Sequence, residues 1–310
     1  MQVKHVFILV GLFLGSSIFS NELCFAADQS NFVSVSYEIW GHSDLVVSTD
    51  YDGRGPGPDL VDTEVGLSTD FEFVDNTFLS GGVTFNFDKT EVDTDPLQNE
   101  SVKEAFFSLG KDEYLFGFGR TEYATNLFEI STAHELGFNS VFQRTVISGK
   151  EVFFGRTGIG GYEFLFSIDD SNSDSQGRNY DVIDSIIITN INSFEISYAV
   201  QSIDAKDKEI DSFAQGLSLK TFFDNVILGL AYSDSDDYSI AQSTVAYQKS
   251  NRTLFSIGVD IVKELEKSAE SYWYSNYRFL AHRNIKVYTE IGNSPINDDF
   301  SYLLGAEFQF

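Results

Sequence analysis

The side chains with the most chemistry to offer in this sequence are carboxylates. The 310-residue chain carries 47 Asp and Glu against 20 Lys and Arg, for a formal net charge of -27. Some of these acids recur at every second position. In the segment Leu60 to Phe73, Asp62, Glu64, Asp70 and Glu72 share one row with Gly66 and Ser68, while Val61, Val65, Leu67, Phe71 and Phe73 form the other. A period of two places each row on one face of a strand. Carboxylates ranked along one face attract cations and repel anions, and a low-dielectric wall behind them focuses the field. That is electrostatics rather than bond-making. The sequence holds no GxSxG elbow, no HExxH and no phosphate-binding GxxxxGK[ST], and Gly155 to Gly161 (GRTGIGG) does not match a dinucleotide fingerprint. His42, His134 and His282 fall in expected loops or turns. No enzyme activity and no cofactor is expected. The charge also repels phosphate backbones, which removes the usual driving force for binding nucleic acid. A metal role stays open: the acidic stretches Asp170 to Asp174 and Ser233 to Asp237 suit calcium chemically, but Asp50-Tyr51-Asp52-Gly53 and its relatives lack the spacing of a formal calcium loop.

The elements that carry these residues read as strands. Val33, Val35, Tyr37 and Ile39 alternate with Ser34, Ser36 and Glu38, and the same pattern recurs at Phe194 to Gln201 and Phe255 to Ile261. With 15% aromatic residues and 42% hydrophobic ones the chain is no candidate for disorder. Tight turns are expected at Val74-Asp75-Asn76, Gly110-Lys111-Asp112, Ile191-Asn192-Ser193, Asp224-Asn225, Ser250-Asn251 and His282-Arg283-Asn284. Long acidic connections are expected at His42 to Asp59, Lys89 to Glu100, Asp170 to Asp181, Ser233 to Asp237 and Asn293 to Asp299. Short and long connections alternate, so the tight turns share one end of an up-and-down meander. Fifteen strands read clearly, and strict alternation demands one more between Tyr114 to Gly119 and Tyr162 to Ile168, for which Asn139 to Ser148 (NSVFQRTVIS) is the expected segment.

Residues 1–26 read as a secretory signal: Lys4 precedes the apolar run Val6 to Phe19, and cleavage after Ala26 leaves small residues at both recognition positions. A lipid anchor on Cys24, the one cysteine, is the rival reading, and Asn21-Glu22-Leu23 lacks the small residues that would go with it. Residues 27–310 then form one all-β domain. An even antiparallel meander with one apolar and one polar row per strand, behind a signal, matches a sixteen-stranded transmembrane barrel whose apolar face meets lipid and whose polar face lines water. Aromatics near strand ends (Tyr37, Trp40, Tyr114, Tyr162, Trp273 and Tyr302) fit interfacial girdles. A soluble secreted β-sandwich is the alternative fold.

The final strand YLLGAEFQF ending in Phe310, the run Glu104 to Arg120 (EAFFSLGKDEYLFGFGR) and Asn139-Ser140-Val141 resemble the Gram-negative general porins, especially the compact alphaproteobacterial type. The resemblance implies a homotrimer in the cell outer membrane, among lipid and lipopolysaccharide, and passive diffusion of small hydrophilic solutes and ions. It implies a third loop folded into the barrel, here Thr121 to Phe138, whose Glu122, Glu129 and Glu135 would line the narrow point beside His134. It makes Phe310 the signal read by the outer-membrane assembly machinery. The sequence departs from the family where an arginine cluster should face that loop: Asp62, Glu64, Asp70 and Glu72 stand on one wall strand and Ser80, Thr84 and Asn86 on the next. Inward basic candidates lie elsewhere, at Arg120, Arg144, Lys220, Arg278 and Lys286. Cation selectivity is the expectation, with a channel selective for one nutrient as the alternative.

Overall fold

The computed structural model describes residues 32–48, 57–73, 75–86, 102–128, 140–142, 148–173, 179–205, 212–293 and 300–309. The expected signal, residues 1–26, the connections 49–56, 87–101 and 294–299, and Phe310 lie outside them.

Period-two alternation becomes strand along nearly the whole described chain. The first eight strands are β1 (Phe32–Ser48), β2 (Gly57–Phe73), β3 (Thr77–Asn86), β4 (Val102–Lys111), β5 (Tyr114–Glu122), β6 (Ser148–Ile159), β7 (Tyr162–Ser173) and β8 (Asn179–Ile191). The second eight are β9 (Phe194–Ala205), β10 (Ser212–Phe223), β11 (Val226–Ser235), β12 (Tyr238–Ser250), β13 (Thr253–Glu264), β14 (Glu270–His282), β15 (Ile285–Asn293) and β16 (Phe300–Gln309). Each pairs antiparallel with its sequence neighbour, and β1 pairs with β16 from His42↔Gln309 to Ser48↔Leu303, which closes the barrel. Closure leaves no free edge. The expected tight turns are all present, and Asn76, Asp112, Asn192 and Asp224 take positive φ in them (59°, 54°, 57° and 47°), a conformation that Asn and Asp tolerate.

Which row faces which way is settled by exposure. On β13, Ile257 is 49% exposed and its neighbours in the row, Phe255, Val259 and Ile261, are exposed too, while Ser256 and Asp260 between them are 0% exposed. The same inversion, polar groups covered and large apolar groups bare, runs around the barrel, with Leu217, Leu230, Ile187 and Leu304 outside and Ser218, Ser233, Asp184 and Ser301 inside. A water-soluble sandwich would bury the apolar rows against each other. Exposed aromatics mark both ends, Tyr114, Tyr162 and Tyr247 beside the tight turns and Trp273, Phe300 and Tyr302 at the other end.

Four expectations need correcting. The sixteenth strand is β6, Ser148–Ile159, not Asn139 to Ser148. Its glycines hide the strand pattern, and they are needed because neighbours occupy the space a side chain would fill: a Cβ on Gly149 would lie 1.9 Å from Asp169 Oδ2. Trp40 is no girdle residue. It sits opposite Gly66 with its indole over that glycine, in the inward row with Ser36 and Glu38. His42 lies within β1, which extends to Ser48, and His282 is the last residue of β14, so two strands carry a histidine. Finally, Asp170 to Ser173 and Ser233 to Ser235 belong to β7 and β11 rather than to loops, which leaves only 236–237 between β11 and β12.

At the tight-turn end, Lys111 Nζ donates to Asp75 Oδ2 at 2.8 Å across the β2–β3 and β4–β5 turns. This hydrogen bond, with a second from Thr77, holds the Asp75 carboxyl at about 2, below its ordinary 3.8. A lowered folded value means the contribution is complete above the unfolded pKa and is lost as pH falls through about 2. In a Lys111→Ala variant, carboxyl carbon NMR should find Asp75 titrating back near 3.8. A value still near 2 would assign the effect to Thr77 instead.

Candidate functional site on the inner wall

The inner wall is built largely from alternate residues of the strands, and two of the ladder slips give it local character at the β3–β6 side. In β4 the pairing slips between Thr84↔Glu104 and Phe85↔Val102, leaving Lys103 as an extra residue. In β5 it slips between Gly119↔Val152 and Thr121↔Gly149, with Gly119 at φ 143° and a Cβ there only 2.2 Å from Ala105 O. A bulge bends its strand and re-aims a side chain. Past the second slip Thr121 and Glu122 still pair with Gly149 and Ser148 of β6, so β5 stays in the ladder up to the start of the long β5–β6 connection.

The described parts of that connection, residues 123–128 and 140–142, lie against inward-facing groups of the wall. Tyr123 Oη donates to Asp169 Oδ2 on β7 at 3.1 Å, and the Ala124 amide to Ser167 Oγ at 2.8 Å. Residues Ala124–Leu127 form a 3-10 turn, and Thr125 donates to Asp184 Oδ2 on β8 twice, through its amide at 3.0 Å and its hydroxyl at 2.6 Å. Gln201 Nε2 on β9 donates to the same Thr125 hydroxyl at 3.2 Å. Further round, the Phe128 and Phe142 rings meet edge to face at 5.2 Å over Gly216 of β10, and the Val141 amide donates to Ser233 Oγ on β11 at 3.2 Å. These residues join Ile186, Ala199, Ala214 and Ile240 in one buried apolar cluster. Residues 123–128 and 140–142 are therefore pinned to successive strands from β7 to β11 by buried acceptors and an aromatic clasp.

Sequence reasoning missed these anchors. Asp184 stands in a strand otherwise rich in isoleucine, and Asp169 lies in the inward row of β7 with Leu165 and Ser167. A lone acid among inward apolar residues, as Asp184 is between Val182 and Ile186, was the available signal.

The expected site residues divide clearly. Glu64 faces inward from β2, 5% exposed, and accepts from Lys103 Nζ at 2.7 Å. Glu122 closes β5 half-buried, accepts from Asn126 Nδ2 at 2.7 Å and has Lys103 Nζ at 3.6 Å. Carboxylates from β2 and β5 thus meet one ammonium, and Glu104 of β4, next to Lys103 in the chain, accepts from Thr84 at 3.2 Å. Asp70 and Glu72 share the inward row of β2 but lie exposed near the tight turn, where Glu72 accepts from Ser34 at 3.1 Å. Asp62 lies in β2 with its side chain outside the described residues. Arg120 Nη1 donates to the Val102 carbonyl at 2.7 Å at the root of the connection. Arg278 faces inward from β14 with its guanidinium 5.9 Å from the centre of the Tyr288 ring. Lys286 pairs with Glu307 across β15 and β16, and Lys220 with Glu195 at 3.3 Å. Glu129, Glu135, His134 and Arg144 lie outside the described residues. Among the described residues no cluster of metal-binding side chains occurs, in the acidic stretches or elsewhere.

A closed sixteen-stranded antiparallel barrel with bare apolar rows outside and polar rows inside has the architecture of a transmembrane β-barrel. No family model matches the chain, and no curated protein does either. Solved structures do. The anion-selective porin from Comamonas acidovorans superposes with a TM-score of 0.70 at 10% identity over 89% of this chain and 100% of its own. A trimer form of OmpT, an outer membrane protein of Vibrio cholerae, gives 0.67 at 9% identity over 89% and 99%. A variant of the Rh. blastica porin gives 0.62 at 15% over 88% and 100%. At these identities the likeness is one of fold.

Proposed function

We propose that this chain is a non-enzymatic outer-membrane channel through which small hydrophilic solutes and ions diffuse passively, with a preference for cations. The observation that carries the reading is the inverted barrel: apolar rows bare on the outside and carboxylates on the inside, with the start of the third connection held against the inner wall. The preference rests on charge. Among the described residues the inward lysines Lys103, Lys220 and Lys286 each lie against a carboxylate, while Asp70, Glu72 and Glu104 add further negative charge. The shared fold does not fix this preference, since one superposing porin is anion-selective. Residues 129–139, with Glu129 and Glu135, would narrow the path from the same connection. Residues 1–26 would be removed on export, Phe310 would serve assembly, and the barrel would sit as a homotrimer among lipid and lipopolysaccharide. No cofactor is required.

A channel dedicated to one nutrient has less support, because the inward aromatics Trp40, Phe78, Tyr274 and Tyr288 lie over glycines of the neighbouring strand instead of forming a free track. Planar-bilayer recording of detergent-purified protein under a KCl gradient tests the reading. Stepwise currents in groups of three with a cation-selective reversal potential are expected. A silent, folded, heat-modifiable barrel would overturn it.

A further inference from the structure

We propose that Lys103 is a tethered counter-cation that sets how strongly the channel prefers cations. The inference rests on the channel reading above and assigns its selectivity to one residue. Strand parity would place Lys103 in the outward row with Ala105 and Phe107, where an ammonium facing lipid is costly. The slip in the β3–β4 ladder prevents this by making Lys103 the unpaired residue. Its side chain turns onto the inner wall, where Nζ reaches Glu64 at 2.7 Å and Glu122 at 3.6 Å, with Glu104 next to it in the chain.

The two partners differ in a way that matters. The Glu64 side chain is 6% exposed, so it fixes the ammonium, whereas Lys103 and Glu122 are 39% and 38% exposed and stay open to whatever passes. A mobile cation entering this cluster meets three carboxylates, one of them already satisfied by the protein's own lysine. Lys103 thus lowers the negative potential at the root of the third connection. The wall carries an attenuated acidic field here, with its positive charge embedded among the acids and not facing them across the lumen.

The test uses bilayer reversal potentials in a gradient around 0.1 M KCl, where the Debye length is about 10 Å. Lys103→Gln should raise the cation-to-anion permeability ratio about two- to threefold, and the gain should shrink near 1 M salt, where that length falls to about 3 Å. Glu122→Gln should lower the ratio. Because Lys103→Gln leaves the covered Glu64 unpaired and could spoil folding, the double variant Glu64→Gln with Lys103→Gln removes both charges and should return the ratio to that of the wild type. A Lys103→Cys channel should recover the wild-type ratio with a trimethylammonium thiol reagent and move further toward cations with a sulfonate reagent, the untreated and wild-type channels serving as controls. Conducting variants whose ratios do not follow the charge at position 103 overturn the role of Lys103 and leave the channel reading standing. A wild-type barrel that never conducts overturns both.

Discussion

Replacing Asp184 with alanine is expected to free the start of the third connection while leaving the barrel assembled. The carboxylate is 1% exposed and takes two hydrogen bonds from Thr125, whose hydroxyl also receives Gln201 Nε2. Hydrogen bonds to a charged acceptor are worth about 1.5–3 kcal/mol each, and removing the acceptor strands buried donors at a further cost. Part of this returns as water enters the vacated space, so about 3–4 kcal/mol of local stability should be lost. Since 1.4 kcal/mol is a factor of ten, the Ala124 and Thr125 amides should exchange roughly a hundred- to a thousandfold faster with deuterium.

The loss should be local because β8 pairs with β7 and β9 through backbone ladders that the substitution does not touch. Heat-modifiability on gels should therefore change little, while single-channel records become noisier. Asp184→Asn, which keeps one acceptor oxygen, should show a smaller effect of the same kind. Amides at 124–125 that stay as protected as in the wild type would mean that the other anchors, Tyr123 on Asp169, Ala124 on Ser167 and the Phe128–Phe142 clasp, hold the segment without Asp184, and Gly216→Leu would then test the clasp, since even a Cβ there lies 2.7 Å from the Phe128 ring.

The wall was legible in the sequence to very different degrees. Rows such as Phe255, Ile257, Val259 and Ile261 announce themselves because nothing but alternation is needed to read them, and turns at Asn76, Asp112, Asn192 and Asp224 are marked by residues that accept positive φ. Trp40 was also readable, for parity places it with Ser36 and Glu38, and residue type alone pointed the wrong way. β6 was hidden because the positions that make it fit, Gly149 and Gly155, weaken strand signal in order to admit Tyr123, Asp169 and the Phe166 ring. The site suffered most. Lys103 reaches Glu64 only through a one-residue slip, and a slip reverses the face that parity assigns. The Asp184 anchor pairs residues 59 apart in sequence, a distance over which no local pattern carries information.

Even a single methyl group on Gly258 is expected to damage this barrel. Gly258 of β13 lies directly opposite Tyr274 of β14, and a Cβ there would sit 2.0 Å from both Cζ and Oη of that ring. The ring is 2% exposed and covers the glycine as a side chain would, and the same arrangement recurs where Tyr288 covers Gly305 and Phe78 covers Gly110. A ring laid over a glycine recovers apolar contact and shields the backbone at a position that otherwise weakens a strand. Gly258→Ala must push the ring from its rotamer, at about 1–3 kcal/mol, and Gly258→Leu should yield little heat-modifiable barrel. The ring is the cause, so shortening it should relieve the damage: Tyr274→Ala costs stability by itself, yet in the Gly258→Ala background it should cost less, or restore part of the loss. Residues in contact couple by about 0.5–3 kcal/mol in such a cycle. Urea midpoints of the four proteins in detergent give the coupling directly. Strictly additive losses would mean that the ring is not held over Gly258, and the glycine would then be required by the backbone of β13 alone.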